Sequence, residues 1–318
     1  MRVAILDDIH EAYEGTAGLR RLRERAEVKV FTGPFGAPAA LRGFDALVPN
    51  RERTRFSREL LEQLPDLRMI AQTGNHAYHI DLAAAQERGI IVAKASGGFS
   101  TGAAELAIGL AIAVMRHIPS TDVAVRAGRW PTPLGCELNA KTMGIVGLGH
   151  VGRHVAKIAK AFEMRVLSWS RRPDPGTAAA LGVEPMELDD LLAASDVVSV
   201  HATLAPQTRG LIDERRLRLM KPTACLINTA RGAIVDEAAL VTALSKGWIA
   251  GAGLDVFEQE PLPSDSPLWG MRNVLVTGHR SGFGADEEGG IYSIIEENLC
   301  RLHEGQPLIN LVDKHKGY

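Results

Sequence analysis

Short apolar runs alternate with amphipathic stretches along most of this chain. Residues 3–6, 28–31, 46–48, 68–71 and 90–92 read as short strands, with helical stretches near 57–64 and 81–88. A small-residue segment at 95–102, ASGGFSTG, interrupts the pattern and reads as a hinge or a binding loop. The apolar stretch at 106–115 follows Glu105. It is too short to span a bilayer and has the length of a core helix. The alternation then resumes, with strands at 143–146, 165–169, 196–200, 224–228, 251–254 and 274–277 and helices between them, notably at 236–245. Strands separated by helices must run parallel, because only a crossover joins parallel neighbours. The pattern therefore predicts an α/β protein with doubly wound parallel sheets. The last helix, about 287–304, and the PLINLVD segment after it outlast the second sheet. They are expected to pack on the first domain. The predicted organisation is one discontinuous domain, 1–97 and 287–318, with a second domain, 98–286, inserted in it.

The strand at 143–146 runs into a glycine turn. Residues 143–152 read MGIVGLGHVG, which sets Gly147, Gly149 and Gly152 in G-x-G-x-x-G spacing. The segment after it carries Val155, Ile158, Ala159 and Phe162 at helical spacing. Strand, turn and helix start together are the context of a dinucleotide fingerprint. Gly147 permits the tight turn, Gly149 lets backbone approach a pyrophosphate, and Gly152 lets helix and strand pack closely. The helix start offers N–H donors and a partial positive charge to the phosphates. The ordinary alternative is a glycine turn in some other α/β unit.

Composition narrows the setting. At 46% hydrophobic and 23% charged over 318 residues, the chain is globular, and its length suits two domains. A net charge of −2 gives no steering toward nucleic acid or an anionic membrane. Cys136, Cys225 and Cys300 show no metal-ligand spacing and no even disulfide framework, so no metal is expected and a reducing cytoplasm is the simple reading. The start, MRVAILDD, enters a strand directly and shows no signal-peptide pattern.

Three polar residues stand just past late strand ends: Arg231 in NTARG, Glu260 in LDVFEQEP and His279 in VTGH. Strand C-termini face the ligand crevice in such folds, so the three are expected to project toward one place. Reduction of a keto group by hydride needs what they offer. A guanidinium clamps a carboxylate and polarises the carbonyl. An imidazolium delivers a proton to the oxygen, and a carboxylate beside the ring orients it. Taken singly, each has a plainer role: Arg231 a turn cap, Glu260 a solvated loop acid, His279 a hydrogen-bonded loop histidine. Three at successive strand ends of one dinucleotide fold favour catalysis.

With these motifs, the chain resembles the D-isomer-specific 2-hydroxyacid dehydrogenase family, which includes phosphoglycerate dehydrogenases and glyoxylate/hydroxypyruvate reductases. The resemblance runs in order through HIDLAAAQERGI, AAELAIGLAIAVMR, AGRW, GIVGLGHVG, HATLAPQTRGLID, NTARGAIVDEAAL, LDVFEQEPLP and VTGH. It implies two Rossmann-like or flavodoxin-like domains, with the cofactor domain inserted into the substrate domain. It places the family's catalytic arginine, glutamate and histidine on Arg231, Glu260 and His279. The aspartate that binds the nicotinamide carboxamide falls on Asp255. The loop that binds the substrate carboxylate falls on Gly74, Asn75 and His76. It also implies a homodimer formed through the cofactor domain, with the helix at 106–115 and the AGRW region at or near the interface. The chain ends without a regulatory extension, which disfavours the long, allosterically regulated phosphoglycerate dehydrogenase form.

The chain departs from the family pattern at two places. Where the family reads T-P-H-[IL]-G, it has Thr277-Gly278-His279-Arg280-Ser281-Gly282. Glycine is expected to loosen the approach to His279, and Arg280 adds a cation nearby that disfavours imidazolium. His76 replaces a common glycine and is either a substrate contact or a solvent-facing loop residue. Substrate identity is the property these changes touch most.

The candidate cofactor-binding residues are Gly147, Gly149, His150, Val151 and Gly152 in the turn and helix start, then Ser170, Arg171, Arg172, Thr208, Thr229 and Asp255. An acid about 20 residues beyond the fingerprint marks NAD selectivity. Here the strand ends in Ser170-Arg171-Arg172, and no carboxylate follows until Asp174. A hydroxyl and two guanidiniums favour NADP over NAD; the alternative is that both arginines face solvent. The reading is an NAD(P)-dependent reductase of a small 2-keto acid, cytoplasmic and homodimeric. A formate-dehydrogenase-like enzyme is disfavoured by Glu260, because that branch carries glutamine there. A dinucleotide-sensing binding protein of the same fold is the competing class, since fold alone does not fix function.

Overall fold

The computed structural model describes the chain except residues 10, 12, 15, 74–76, 95–99, 131–132, 282–290 and 313–318, and except the side chains of 100 and 291–294. The chain divides into two compact units: Met1–Gly98 with Phe283–Tyr318, and Phe99–Gly282.

Unit 1 begins as β1 (Arg2–Leu6), α1 (Ala17–Arg25), β2 (Glu27–Val30), β3 (Ala46–Pro49), α2 (Arg58–Glu62), β4 (Met69–Gln72), α3 (Leu82–Glu87) and β5 (Ile91–Lys94). All five strands run parallel in the order β2-β1-β3-β4-β5. Strands β3 and β4 are buried along their whole length, as continuous apolar runs covered on both faces should be. Each helix start is fixed locally. Thr16, Ser57 and Asp81 accept from the backbone N–H of Leu19, Leu60 and Ala84, supplying partners to donors that a helix N-terminus leaves unmet. The order reverses between β1 and β3, so those two strand ends form the switch point of this sheet.

Unit 2 opens with α4 (Ser100–Met115) and α5 (Ile118–Arg126). A seven-stranded parallel sheet follows, in the order β12-β11-β10-β9-β6-β7-β8. Its elements are β6 (Thr142–Val146), α6 (His150–Ala161), β7 (Arg165–Trp169), α7 (Pro175–Leu181), β8 (Glu184–Pro185), α8 (Leu188–Ala194), β9 (Val197–Val200), α9 (Glu214–Leu217), β10 (Cys225–Asn228), α10 (Glu237–Ser245), β11 (Gly251–Leu254) and β12 (Val274–Val276). The apolar helix α4 lies in the core, with Ala104, Ala107, Leu110 and Ala111 buried. Gly253 of β11 gives it room, since a Cβ there would stand 2.9 Å from Leu110 Cβ. Here the order reverses between β6 and β9, and the glycine turn lies at the end of β6. Among the described residues, no single helix is long and apolar enough to cross a membrane.

The chain then returns to unit 1 as α11 (Ile291–Glu304). Arg21 of α1 makes a bidentate pair with Glu296 of α11, at 2.8 and 2.7 Å. Asn298 of α11 clamps the following loop through both polar atoms, to the Ile309 carbonyl and N–H at 2.8 Å. That loop then lays Leu311 antiparallel against Ala93 of β5.

Candidate active site

The cradle at the end of β6 is dictated by backbone crowding. Gly147 has φ 108°, and a Cβ there would stand 2.6 Å from the Ala202 nitrogen at the exit of β9. A Cβ on Gly152 would overlap the Gly147 carbonyl, so the first turn of α6 rests directly on the glycine turn. Gly149 is the N-cap of α6 and supplies no side-chain cap, while a Cβ on it would meet nothing within 4 Å. The helix start therefore carries N–H donors toward open space, with His150 and Val151 in its first turn. Thr229, just past β10, adds a buried hydroxyl with no partner among the described residues. These features fit the pyrophosphate and polar groups of a dinucleotide.

The turn after β7 is partly structural. Ser170 accepts a 2.9 Å hydrogen bond from the Leu148 N–H and so braces the glycine turn. Its own proton remains available for donation, since the hydroxyl acts here as acceptor. Arg171 donates to Gln207 Oε1 at 2.9 Å, and Arg172 is exposed. Asp174 is committed elsewhere. It caps α7 through Thr177, whose hydrogen bonds hold its carboxyl below the usual range. The hydroxyl of Thr208 is spent on its own loop, on the carbonyls of Thr203 and Ala205 and the Ala205 N–H.

The three candidate catalytic residues follow β10, β11 and β12 in unit 2. His279 Nδ1 and Glu260 Oε2 lie 2.6 Å apart, with the His279 ring buried. The other Glu260 oxygen accepts from the Phe257 N–H at 3.1 Å, which fixes the carboxylate plane. Gly232 brings the arginine loop against this one. A Cβ on it would overlap the backbone of Phe257 and Glu258, so only glycine lets the two loops touch. Arg231 directly precedes it and donates from Nη1 to the Ala230 carbonyl at 2.6 Å. Asn228 holds this loop's shape, donating to the Arg231 carbonyl and accepting from the Ala230 N–H, both at 3.0 Å.

Asp255 organises the histidine loop. Its carboxylate, fully buried, accepts from the Thr277 hydroxyl at 2.6 Å and from the Arg280 and Ser281 N–H groups at 2.8 Å. Its carbonyl accepts from the His279 N–H at 2.8 Å, and His279 takes a left-handed φ of 53°. Gly278 thus sits in a pinned loop rather than a loosened one. The Arg280 side chain is exposed, where solvent screens its charge.

Gly74, Asn75 and His76 lie outside the described residues. His201 was not singled out from the sequence, although a histidine just past a strand end was visible there. Its Nε2 lies 2.8 Å from Ser199 Oγ, and burial pushes its pKa down to about 3. Gly232 and Asn228 were likewise missed. Their signal was the NTARG motif itself, whose glycine and asparagine serve the loop that presents Arg231.

Fold and site together define a dinucleotide-dependent oxidoreductase with a carboxylate-backed imidazole. The sequence model described as "D-isomer specific 2-hydroxyacid dehydrogenase, NAD binding domain" matches residues 108–281. A glyoxylate reductase of Thermococcus litoralis is 37% identical over 311 residues, covering 93% of each chain. A D-3-phosphoglycerate dehydrogenase of Archaeoglobus fulgidus is 36% identical over 98% of this chain, which spans 59% of that protein's length. The crystal structure of phosphoglycerate oxidoreductase from Vibrio cholerae matches with a TM-score of 0.88 at 32% identity, covering 96% of this chain and 99% of the other. The chain belongs to the D-isomer-specific 2-hydroxyacid dehydrogenase family. It is an oxidoreductase acting on the CH–OH group of 2-hydroxy acids with a nicotinamide dinucleotide.

Proposed function

We propose that the protein reduces a small 2-oxo acid to its D-2-hydroxy acid, with NADPH as the preferred reductant. In this reading unit 2, about residues 98–286, holds the cofactor, and unit 1, about 1–97 and 287–318, binds substrate. The observation that carries the mechanism is the 2.6 Å pair between His279 and Glu260. The bound cofactor supplies the hydride. Arg231 anchors the substrate carboxylate and polarises the C2 carbonyl. Glu260 holds Nδ1 of His279, so the proton for the carbonyl oxygen comes from Nε2. Asp255 positions His279 through its loop and is the candidate contact for the nicotinamide carboxamide. Gly74, Asn75 and His76 are the candidate carboxylate-binding loop.

NADP preference rests on the turn after β7. Ser170 has a proton to donate, Arg171 is braced by Gln207, and the nearest acid, Asp174, is occupied as a helix cap. A 2′-phosphate takes such donors well, whereas selective binding of a bare ribose uses an acid at this turn. Homodimerisation through unit 2 and a cytoplasmic setting complete the reading. The names of the relatives point to glyoxylate or to 3-phosphohydroxypyruvate, the oxo acid of D-3-phosphoglycerate, as substrates. The decisive experiment is steady-state reduction of glyoxylate, hydroxypyruvate, pyruvate, phenylpyruvate and 3-phosphohydroxypyruvate with NADPH and NADH. Turnover that vanishes in Arg231→Ala and His279→Ala is the expected result. NADPH binding without turnover of any of these acids would favour a sensor.

A further inference from the structure

Two loops flank the strand that ends in the glycine turn. β6 lies between β7 and β9 in the sheet, so the turn after β7 and the loop after β9 stand on either side of it. The two outer strands are about 10 Å apart, twice the usual strand spacing. Long side chains close that gap: Arg171 Nη1 donates to Gln207 Oε1 at 2.9 Å. Both project from anchored backbone. Ser170, beside Arg171, accepts from the Leu148 N–H in the glycine turn. Thr208, beside Gln207, is buried, and its hydroxyl ties the loop to Thr203 and Ala205.

Stability alone does not explain this contact. Arg171 and Gln207 are both exposed, and an exposed hydrogen bond replaces one with water at little net gain. The charges around it point to a ligand. Residues 164–173 cover β7 and its turn, and residues 197–212 cover β9 and its loop; neither stretch contains an acid. The turn carries Arg171 and Arg172, the loop carries Arg209, and all three are exposed. Asp174, the next acid beyond the turn, is occupied as the cap of α7. With Nη1 held by Gln207, Arg171 keeps its Nε–Nη2 edge for a ligand, and such an edge grips two oxygens of one anion. Gln207 accepts through its amide oxygen, so its amide nitrogen remains a donor.

We propose that Gln207 is a specificity-determining residue for the cofactor. It holds Arg171 ready for the 2′-phosphate of NADPH and, being neutral, keeps that subsite free of negative charge. This rests on the reading of the protein as NADPH-preferring, and it moves part of the selectivity from the turn after β7 to the loop after β9. The donors match a phosphate, whose several oxygens accept from the guanidinium edge, the amide and the Ser170 hydroxyl together. A bare ribose offers one hydroxyl oxygen there. A carboxylate at residue 207 would act in reverse. It would pair with Arg171, repel the phosphate and accept from a 2′-hydroxyl, as the acid of NAD-selective sites does.

Adenosine 2′,5′-bisphosphate and adenosine 5′-monophosphate differ only in the 2′-phosphate, and neither undergoes hydride transfer. Calorimetry with both on the whole protein therefore reads this subsite apart from turnover. The wild-type protein is expected to bind the bisphosphate about tenfold or more tightly than the monophosphate. Gln207→Glu should reduce that preference by about 10–100-fold, the worth of a charge-assisted hydrogen bond, with monophosphate binding unchanged or tighter. Gln207→Met keeps the length and removes the acceptor. It should weaken bisphosphate binding by about 3–10-fold and leave the monophosphate as it was. Both variants should melt with the wild type, as exposed substitutions usually do. A preference that survives Gln207→Glu would overturn the proposal. So would an equal loss of both ligands, or a fall in Tm in both variants, since Gln207 would then serve the loop rather than the phosphate. A wild-type protein with no preference for the bisphosphate would instead remove the NADPH reading, and this proposal with it.

Discussion

At the residue scale, the site depends on pairs whose members have little meaning alone. His279→Ala removes the proposed proton donor, and a loss in kcat of about 10²–10⁴-fold is expected, the usual worth of general acid catalysis. Glu260→Gln keeps the size of the side chain and removes the charge behind Nδ1. It should cost less than His279→Ala and shift the pH profile of kcat/KM. An unshifted profile would mean the carboxylate only positions the ring. His201 carries a different prediction. Folded His201 stays neutral down to about pH 3, whereas an unfolded histidine takes up a proton below about pH 6.5. The unfolded chain therefore binds more protons between those values. The stabilisation from neutral His201 is complete above about pH 6.5 and is lost as pH falls, by up to about 1.4 kcal/mol per pH unit. Urea denaturation at pH 7.5, 6 and 5 should show that slope, and His201→Asn should flatten it. The Glu260–His279 pairing was legible in the sequence because strand ends and residue chemistry coincide there. The sequence did not show His201, because nothing in HATLAP says whether the ring turns to solvent or to Ser199.

At the element scale, strands and crossovers were readable from apolar runs, since buried parallel strands leave no polar face to blur them. The loops were not, because their shape comes from contacts between segments distant in sequence. Gly232 shows this. Nothing near NTARG announces that the loop presses on the backbone of Phe257 and Glu258. Gly232→Ala should cost about 1–3 kcal/mol as an overpacking change. It should also lower kcat by separating the Arg231 and Glu260 loops, even at temperatures where the variant is folded. A variant with normal Tm and activity would show that the two loops yield freely. The turn after β7 carries the cofactor prediction. Arg171→Ala should lower kcat/KM for NADPH by about 10–100-fold, the worth of one charge-assisted hydrogen bond. The loss with NADH should be much smaller. Equal losses would mean that Arg171 reads something common to both cofactors.

At the scale of the whole molecule, the inserted organisation was legible because the fingerprint stands so late in the chain, after a full α/β series. What a single chain shows less directly is what covers its surface. Helix α5 has no buried residue, and Ile118, Val123 and Val125 on it are exposed. Trp130 and Leu134 beyond it are 83% and 95% exposed. A helix with no buried face gains little from its own unit, and clustered exposed apolar side chains mark association surfaces. Such a segment suits a symmetric interface, where the same patch serves both copies and burial of each large side chain contributes about 1.5–3 kcal/mol. The homodimer proposed through unit 2 should therefore depend on this segment. Val123→Asp combined with Trp130→Ser should shift sedimentation from dimer to monomer at micromolar concentration, while the far-UV spectrum is retained. Dimers of undiminished stability would place the contact elsewhere on unit 2, and a monomeric wild type would remove the dimer altogether.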